Sequence, residues 1–249
     1  MPQSEGKFFQ EATVYDLLAK YYKYSRPDLH VHYYHNHLIS LQNAIFHSKA
    51  GFMQPQKRFS KVRVLQGSPD STAIDICFNH NPVYKNVPYQ TNSKYIFLPE
   101  GSLLLDILQS NEKGPSAFSS RVQLMAGNHY TLVVAGPPEN LLLEAIHDEP
   151  FVPFGETKIR FAHFSPDAPD LDIAVKNGDI VFKGLTYRNA TDYLGLTPMA
   201  VDLEVRAAGT REVILPLEGI RFEKDAAYTI YLLGRTEKAP VLTAHMLSP

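Results

Sequence analysis

The residues of this sequence best suited to chemistry are carboxylates that recur in one nine-residue phrase. It reads SPDSTAIDI at Ser68–Ile76 and SPDAPDLDI at Ser165–Ile173. Ser-Pro-Asp is typical of a turn, because proline fixes φ and the Asp side chain accepts hydrogen bonds from nearby backbone amides. Several carboxylates close together would instead suit a hard cation such as Ca²⁺, although their spacing matches no EF-hand loop. We favour the turn as the interpretation. If the phrase instead binds a ligand, the candidate binding residues are Asp70, Asp75, Asp167, Asp170 and Asp172.

Two tyrosines at matched positions, Tyr89 and Tyr187, are the second set of candidate binding residues. A tyrosine ring with its polar hydroxyl suits ligand contact, but the same side chain also suits the rim of an apolar core. Core packing is the favoured interpretation, and ligand contact is the alternative.

Histidines crowd the stretch HVHYYHNH and invite a metal interpretation. On a helix, His30 and His37 flank one side of the apolar stripe, and His32 and His35 flank the other. Ligands that point two ways cannot close one tetrahedral site, and the sequence has neither H-E-x-x-H nor Cys-x-x-Cys. A pair completed by ligands from elsewhere stays open. We otherwise expect no bound metal, no cofactor, and a polar helix flank that packs beside a neighbour.

Composition and missing motifs narrow the functional class. The chain has 24 Lys and Arg against 26 Asp and Glu, so its net charge of −2 gives no basic surface for nucleic acid. The single cysteine, Cys77, excludes an intramolecular disulfide. No signal peptide opens the sequence, no run reaches the ~18 apolar residues of a membrane helix, and no nucleophile elbow or phosphate loop is present. We therefore expect a cytoplasmic protein that is not an enzyme.

The elements that must position these residues form two copies of one unit. KVRVLQGSPD at Lys61–Asp70 parallels KIRFAHFSPD at Lys158–Asp167, with an offset of 97 residues. HYTLVVAG at His129–Gly136 parallels AYTIYLLG at Ala227–Gly234, with an offset of 98. The change of one fits a single inserted residue in a hairpin. A repeat of this length indicates two tandem copies of one fold.

Each copy is built from short strands joined by turns. DLDIAV at 170–175 alternates apolar and polar residues, which is typical of a strand with one buried face. Asn177-Gly178 predicts a type I′ hairpin, which needs positive φ at both residues. Pro82 indicates an edge strand, because proline cannot donate to a ladder. Neither copy shows a helical period, so the sequence predicts antiparallel sheets.

The first fifty residues differ in kind. Thr13 and Asp28 are the predicted N-caps of two helices. Each helix carries apolar residues at helical spacing, Val14, Leu17, Leu18 and Tyr21 on the first and Val31, Tyr34, Leu38, Leu41 and Ile45 on the second. The predicted domains are a helical hairpin with a linker at 1–58, a first β-sandwich repeat at 59–148 and a second at 149–249.

The two copies resemble the bacterial and archaeal domain-of-unknown-function family 4397. The resemblance rests on VRVLQGSPDSTAIDI, IRFAHFSPDAPDLDI, VFKGLTYRNATDYLGL and AYTIYLLG, and the first copy departs from it at Ser71-Thr72. It implies an immunoglobulin- or transthyretin-like β-sandwich, found in tandem in envelope or secreted proteins, and no established activity. The expected fold is therefore mainly β, with two tandem antiparallel sandwiches preceded by an α-helical hairpin.

The functional prediction is a non-catalytic binding or assembly module of unknown ligand. The sandwiches would present loops, and the helices would contact a protein partner or a second copy. One alternative is a structural component of a bacterial cell or spore surface, reached without a signal peptide, since exposed strand edges can pair between chains. A second alternative is a metal-dependent hydrolase, because Asp and His groups can converge from distant sequence.

Overall fold

A computed structural model describes residues 3–52, 58–69, 71, 73–110 and 118–249, with side chains for all of these except 3–6 and 45–52. Contacts divide the chain into two compact units, Met1–Lys57 and Arg58–Pro249. The first unit is a pair of helices, α1 at Gln3–Tyr22 and α2 at Pro27–Phe52. In the part that the structure describes, no helix combines the length and apolar character needed to cross a membrane.

Small residues and histidines form the contact between α1 and α2. Ala12 and Ala19 are buried on α1. Nδ1 of His30 lies 2.8 Å from the carbonyl oxygen of Ala19, and Nδ1 of His37 lies 2.8 Å from that of Ala12. Each ring nitrogen must donate, because a carbonyl oxygen only accepts. His32 contacts Asn36 on its own helix instead, so the described histidines do point two ways.

Both predicted N-caps are wrong, since α2 begins at Pro27 and Asp28 therefore lies inside its first turn. α1 begins well before the predicted cap at Thr13, whose hydroxyl donates to the carbonyl oxygen of Phe9 inside the helix. The apolar stripes do not form the contact between the helices, because most of their large side chains are exposed: Val14, Leu17, Tyr21, Val31, Tyr34 and Leu38. Alanines allow the helices to approach closely, and the Tyr33 ring of α2 stacks on the rings of Tyr15 and Tyr22 of α1. The side chains of the apolar stripes lie mostly on the surface of the hairpin.

The second unit is built from strands. In the first repeat they are β1 Phe59–Gln66, β2 Ile74–Phe78, β3 Asn81–Val87, β4 Ile96–Pro99, β5 Gly101–Gln109, β6 Phe118–Leu124, β7 His129–Ala135 and β8 Leu142–Asp148. In the second they are β9 Thr157–His163, β10 Leu171–Val175, β11 Ile180–Leu185, β12 Leu194–Leu196, β13 Met199–Ala207, β14 Val213–Phe222, β15 Ala226–Leu233 and β16 Thr243–Leu247. A 3₁₀ turn at Pro138–Asn140 precedes β8.

Both repeats have the same topology. The first pairs its strands as β4-β1-β7-β8 and β3-β2-β5-β6, and the second as β12-β9-β15-β16 and β11-β10-β13-β14. Each pair of sheets encloses its own apolar core. The mainly β fold class, with two tandem sandwiches and two N-terminal helices, is therefore confirmed.

The two sandwiches pack face to face. The sheets that contain β1 and β9 are the inner sheets, and the other two are the outer sheets. Side chains alternate along the inner strands, so Val64 points into the core of the first sandwich, whereas Leu65 and Val133 join a third cluster with Phe164 and Tyr231 of the second repeat. The central strands of each inner sheet are therefore buried on both faces.

The sequence predicted fully antiparallel sheets, and this prediction is wrong for one strand pair in each sandwich. β1 runs parallel to β7, and β9 runs parallel to β15. Most strands between these partners belong to the outer sheet, so the chain re-enters the inner sheet from the same end. Apolar alternation specifies which face of a strand is buried but not its direction, which is why the sequence did not predict this pairing.

The β2–β3 hairpin of the first repeat and the β10–β11 hairpin of the second have different turns. Asn79 and His80 have φ of 48° and 64°, as a type I′ turn requires. In the second repeat only Asn177 has positive φ, at 56°, so the type I′ prediction for Asn177-Gly178 is wrong. The last hydrogen bond of this hairpin runs from the Val175 amide to the carbonyl oxygen of Asp179, so residues 176–178 form the loop. The predicted edge strand at Pro82 is confirmed, since β3 is outermost in its sheet.

Candidate functional site

The last Asp of the phrase anchors two turns in the second repeat. Asp172 is fully buried. Its Oδ1 accepts a hydrogen bond from the Gly184 amide at 2.7 Å, and its Oδ2 accepts one from the Gly209 amide at 2.9 Å. Both glycines lie in the left-handed region, with φ of 64° and 75°. The carboxylate thus fixes two backbone conformations that other residues rarely adopt.

Asp75 has the matching role in the first repeat. It accepts hydrogen bonds from the Ser110 hydroxyl at 2.6 Å and from the amide of Asn86 at 2.8 Å. These two donors, the hydroxyl first, lower the pKa of Asp75 below its usual range. Asn86 occupies the place of Gly184 and also has positive φ, at 53°. These bonds are those that the turn interpretation requires, and ligand binding by either Asp stays a prediction.

The first Asp of the phrase anchors a loop. Burial disfavours the charge of Asp167, but the amides of Thr236 at 2.9 Å and Glu237 at 3.3 Å outweigh it and lower the pKa of this carboxyl. Asp170 is exposed. Asp70 lies outside the described residues. Among the residues that the structure describes, no three His, Cys, Asp or Glu side chains are arranged to hold a metal ion.

The matched tyrosines are half-buried. The Tyr187 ring packs edge-on against His163 at a centroid distance of 5.8 Å, and burial raises the pKa of its hydroxyl. His163 is itself buried, which lowers the pKa of its ring, and its Nε2 lies 3.2 Å from the carbonyl oxygen of Pro169. The Tyr89 hydroxyl lies 3.5 Å from Nε2 of Gln90. The ligand-contact role of both tyrosines stays a prediction.

A buried polar cluster lies where the inner sheets meet, and the sequence analysis missed it. The Asp148 carboxylate accepts hydrogen bonds from Tyr95 at 2.7 Å, Thr131 at 2.5 Å and Nη2 of Arg160 at 3.0 Å. Nη2 of Arg63 lies 3.8 Å away. The sequence did carry a signal, since Arg63 and Arg160 hold matched positions and each lies between two apolar neighbours. This cluster joins the two repeats.

The chemistry of this cluster is structural. The guanidinium groups of Arg63 and Arg160 lie 4.6 Å and 4.3 Å from the ring centroids of Tyr95 and Tyr193. Burial, followed by the charge of Asp148, raises the pKa of Tyr95, so that its hydroxyl remains a donor. A buried carboxylate shared by two cations is costly to break. The cluster therefore fixes the sandwiches to each other.

A polar pocket, which we call the outer pocket, lies over the outer sheet of the second repeat. Two adjoining cavities of about 280 and 430 Å³ lie between the β10–β11 and β13–β14 loops. The side chains of Glu204 and Arg206, joined at 2.6 Å, line it. By contrast, no described residue forms an ion pair with Asp179, Lys183 or Arg211, which also line it. These charges are available to a ligand.

The first repeat differs at the matching surface. In the second repeat Arg206 lies opposite Asp172 in the ladder, whereas in the first repeat Leu108 lies opposite Asp75. The first repeat also has Cys77 at the position of Ala174 in the second. A cavity of about 330 Å³ there is lined by Cys77, Leu104 and Leu108 and also by His80 and Asp106, whose side chains lie 3.0 Å apart. Burial raises the pKa of the Cys77 thiol, which disfavours a reactive thiolate. The two surfaces therefore differ in their charged groups: the second repeat has an arginine at position 206, where the first has Leu108.

The strand beside this pocket, β11, is an edge strand, and two register shifts interrupt its pairing with β10. β11 pairs with β10 on one side and ends its sheet on the other. Ile180 and Val181 are 43% and 37% exposed. In the first repeat the ladder position of Ile180 is taken by Pro82, which has no amide to donate. The outer pocket and the β11 edge form one continuous candidate contact surface.

A family model described as a domain of unknown function, DUF4397, matches residues 60–174 and 165–247. No curated protein matches the chain.

The similar solved structures are remote. A protein from Bacteroides fragilis, described as a "putative cell adhesion protein", is 10% identical and matches 77% of this chain and 97% of its own, with a TM-score of 0.20. A protein from Parabacteroides distasonis with the same description is 7% identical, with coverages of 77% and 99% and a TM-score of 0.22. The Bacillus anthracis TIE protein is 10% identical, with coverages of 72% and 34% and a TM-score of 0.22. Values this low establish neither a shared fold nor a shared function.

Proposed function

This chain belongs to the DUF4397 family, and on that premise we propose that it is a non-catalytic binding module whose second repeat contacts a protein partner. The contact surface is the outer pocket together with the β11 edge. The observation that carries the proposal is the difference between the repeats. In the second, Ile180 stands on the edge strand and Arg206 lines the pocket, whereas the first has Pro82 and Leu108 at the same ladder positions.

The state of the described carboxylates supports binding over catalysis. Asp75, Asp167 and Asp172 accept hydrogen bonds from backbone amides, and Asp148 is enclosed by cations and hydroxyls. A general acid or base must reach a substrate proton. A carboxylate held by amide donors has its oxygens engaged in the fold, so these groups suit an architectural role. The metal-dependent hydrolase alternative gains no support from them.

The helical hairpin is the second contact element of the proposal. Its exposed side chains include Leu17 and Tyr21, which are 62% and 77% exposed. Large apolar side chains on a helix surface favour association with another apolar surface. The alternative of a surface-layer component uses the same two elements, and it differs in that the partner is a further copy of the chain.

Site-specific photo-crosslinking tests the proposal in cells that produce the protein. A benzophenone amino acid replaces Ile180 in one variant and Pro82, its ladder counterpart, in the control. We expect protein adducts at position 180 and few at position 82. Equal adduct yields at the two positions would contradict a contact surface in the second repeat.

A further inference from the structure

We propose that an apolar face of α2 pairs with the same face of α2 in a second copy of this chain, so that two helical hairpins associate. This inference rests on the proposed function, since it names the partner of the hairpin, which is the second contact element there. The observation that carries it is that α2 has two neighbouring faces with the spacing of a helix contact, and α1 covers the more polar one.

The face that α1 covers, which we call the contact seam, consists mainly of polar and small residues. Its positions recur at spacings of 3, 4, 3 and 4 residues: His30, Tyr33, His37, Ser40 and Ala44. Ser40 and Ala44 are buried, and both histidine rings lie against carbonyl oxygens of α1. The Tyr33 ring stacks on two tyrosine rings of the same helix. The contact seam is therefore occupied by α1.

The neighbouring face, which we call the apolar seam, begins one residue later and has the same spacing. Its positions are Val31, Tyr34, Leu38, Leu41 and Ile45. Val31, Tyr34 and Leu38 are 66%, 50% and 41% exposed. One residue turns a helix by about 100°, so a helix that lies on the contact seam leaves the apolar seam uncovered. Because burial of apolar surface is the main driving force of association, this seam is the face of α2 that gains most from a partner.

The spacing of the apolar seam identifies that partner as a helix. Apolar residues at alternating intervals of three and four occupy the a and d positions, at which two helices interlock side chains. A stripe this narrow is typical of a helix contact rather than of a broad apolar face. The fold of one chain offers α1 alone as a second helix, and α1 already lies on the contact seam.

The charge of α2 favours a second copy as the source of the helix. From Leu29 to Ala44 the sequence has no Lys, Arg, Asp or Glu. Charged residues beside a helix seam select its partner, and like charges there oppose self-association. Two copies of α2 therefore meet without repulsion from such side chains, and no charge on this face calls for a partner of opposite sign. A contact that uses the same face of both copies closes after two, so it yields a dimer rather than a layer.

Sedimentation velocity of the full chain at pH 8, from micromolar to millimolar concentration, tests the pairing. The seam is short, so we expect a weak, reversible dimer. Leu38→Lys places a charge in the seam of both copies and should raise the dimer dissociation constant about tenfold or more. Ile39→Lys is the matched control, because Ile39 is 42% exposed but lies outside the seam, and it should leave dimerisation unchanged. Both variants should retain their helical circular dichroism, since both positions are exposed in a single copy.

Photo-crosslinking and a third variant provide independent tests. A benzophenone amino acid at position 38 should give covalent dimers of the chain, and few at position 39. Leu17→Lys changes the exposed apolar surface of α1 and should leave the dimer intact.

Several results would overturn the pairing: a chain that stays monomeric at every concentration, equal effects of Leu38→Lys and Ile39→Lys, or a dimer that only Leu17→Lys disrupts. Adducts at position 38 with a different protein, without covalent dimers, would overturn self-pairing and leave the hairpin as a contact element. Adducts at position 180 test the second repeat separately. Their absence would remove that contact surface and leave the hairpin dimer standing.

Discussion

Replacing Asp172 tests whether the repeated phrase serves the fold. The buried carboxylate accepts the amides of Gly184 and Gly209, which belong to two different turns. Asp172→Ala leaves both donors without their acceptor. Asp172→Asn keeps one acceptor oxygen but places an amide group against the other donor. Both variants should therefore destabilise the second unit, the alanine variant more strongly.

The magnitude follows from the two bonds. A hydrogen bond to a charged group contributes about 1.5–3 kcal/mol, so two of them bound the loss at about 6 kcal/mol. Both glycines are exposed, and water can therefore replace part of what is lost. We expect a decrease in the free energy of unfolding of about 3 kcal/mol for Asp172→Ala and about half of that for Asp172→Asn.

Urea unfolding followed by circular dichroism measures these changes. Asp170→Ala is the matched control, because its side chain is exposed on the same phrase, and it should stay within about 0.5 kcal/mol of the unsubstituted chain. Asp75→Ala, which loses one amide and one hydroxyl, should lie between the two. Equal stabilities of Asp172→Ala and Asp170→Ala would refute the structural role of the phrase.

Three further outcomes are expected. Asp148→Ala leaves two buried guanidinium groups without their carboxylate and should lower the free energy of unfolding by about 3–5 kcal/mol in urea titrations. Burial lowers the pKa values of His163, His129 and His245 in the folded state, so the unfolded chain binds protons first as the pH falls. The free energy of unfolding should therefore be constant above pH ~6.5 and decrease below it. His163→Gln should reduce this decrease, as measured by melting scans at pH 7 and 5.5. Ala19→Leu overfills the contact between α1 and α2 and should destabilise the hairpin by about 1–3 kcal/mol, visible as faster amide exchange in both helices but not in the strands.

The repeat made the architecture of the β-unit predictable. Turn residues and strands recur at offsets of 97 and 98 residues, so the sequence specified two copies of a sandwich. It also placed Pro82 on an edge. Local rules failed where a long-range contact decides the outcome. Thr13 has the chemistry of a cap but lies inside α1, and Asn177-Gly178 has the composition of a type I′ turn but closes as a longer loop.

The candidate site was predictable only in part. Asp172 was identified from the repeated phrase, but its bonding partners Gly184 and Gly209 lie on other hairpins that periodicity does not bring together. Arg206 shows no motif. Its significance comes from comparison with Leu108, which requires the register of both sheets.

The sequence by itself determined the number of repeats and their strand character, because these depend on period and composition within one segment. It did not determine the buried face of β10, where Asp172 and Ala174 are buried and Val175 is exposed. Only the tertiary structure decided that the inner sheets face each other, with Asp148 between Arg63 and Arg160 and Leu65 against residues of the other repeat. Nothing within the segment of a strand identifies which surface covers its second face. That choice belongs to the packing of the whole chain.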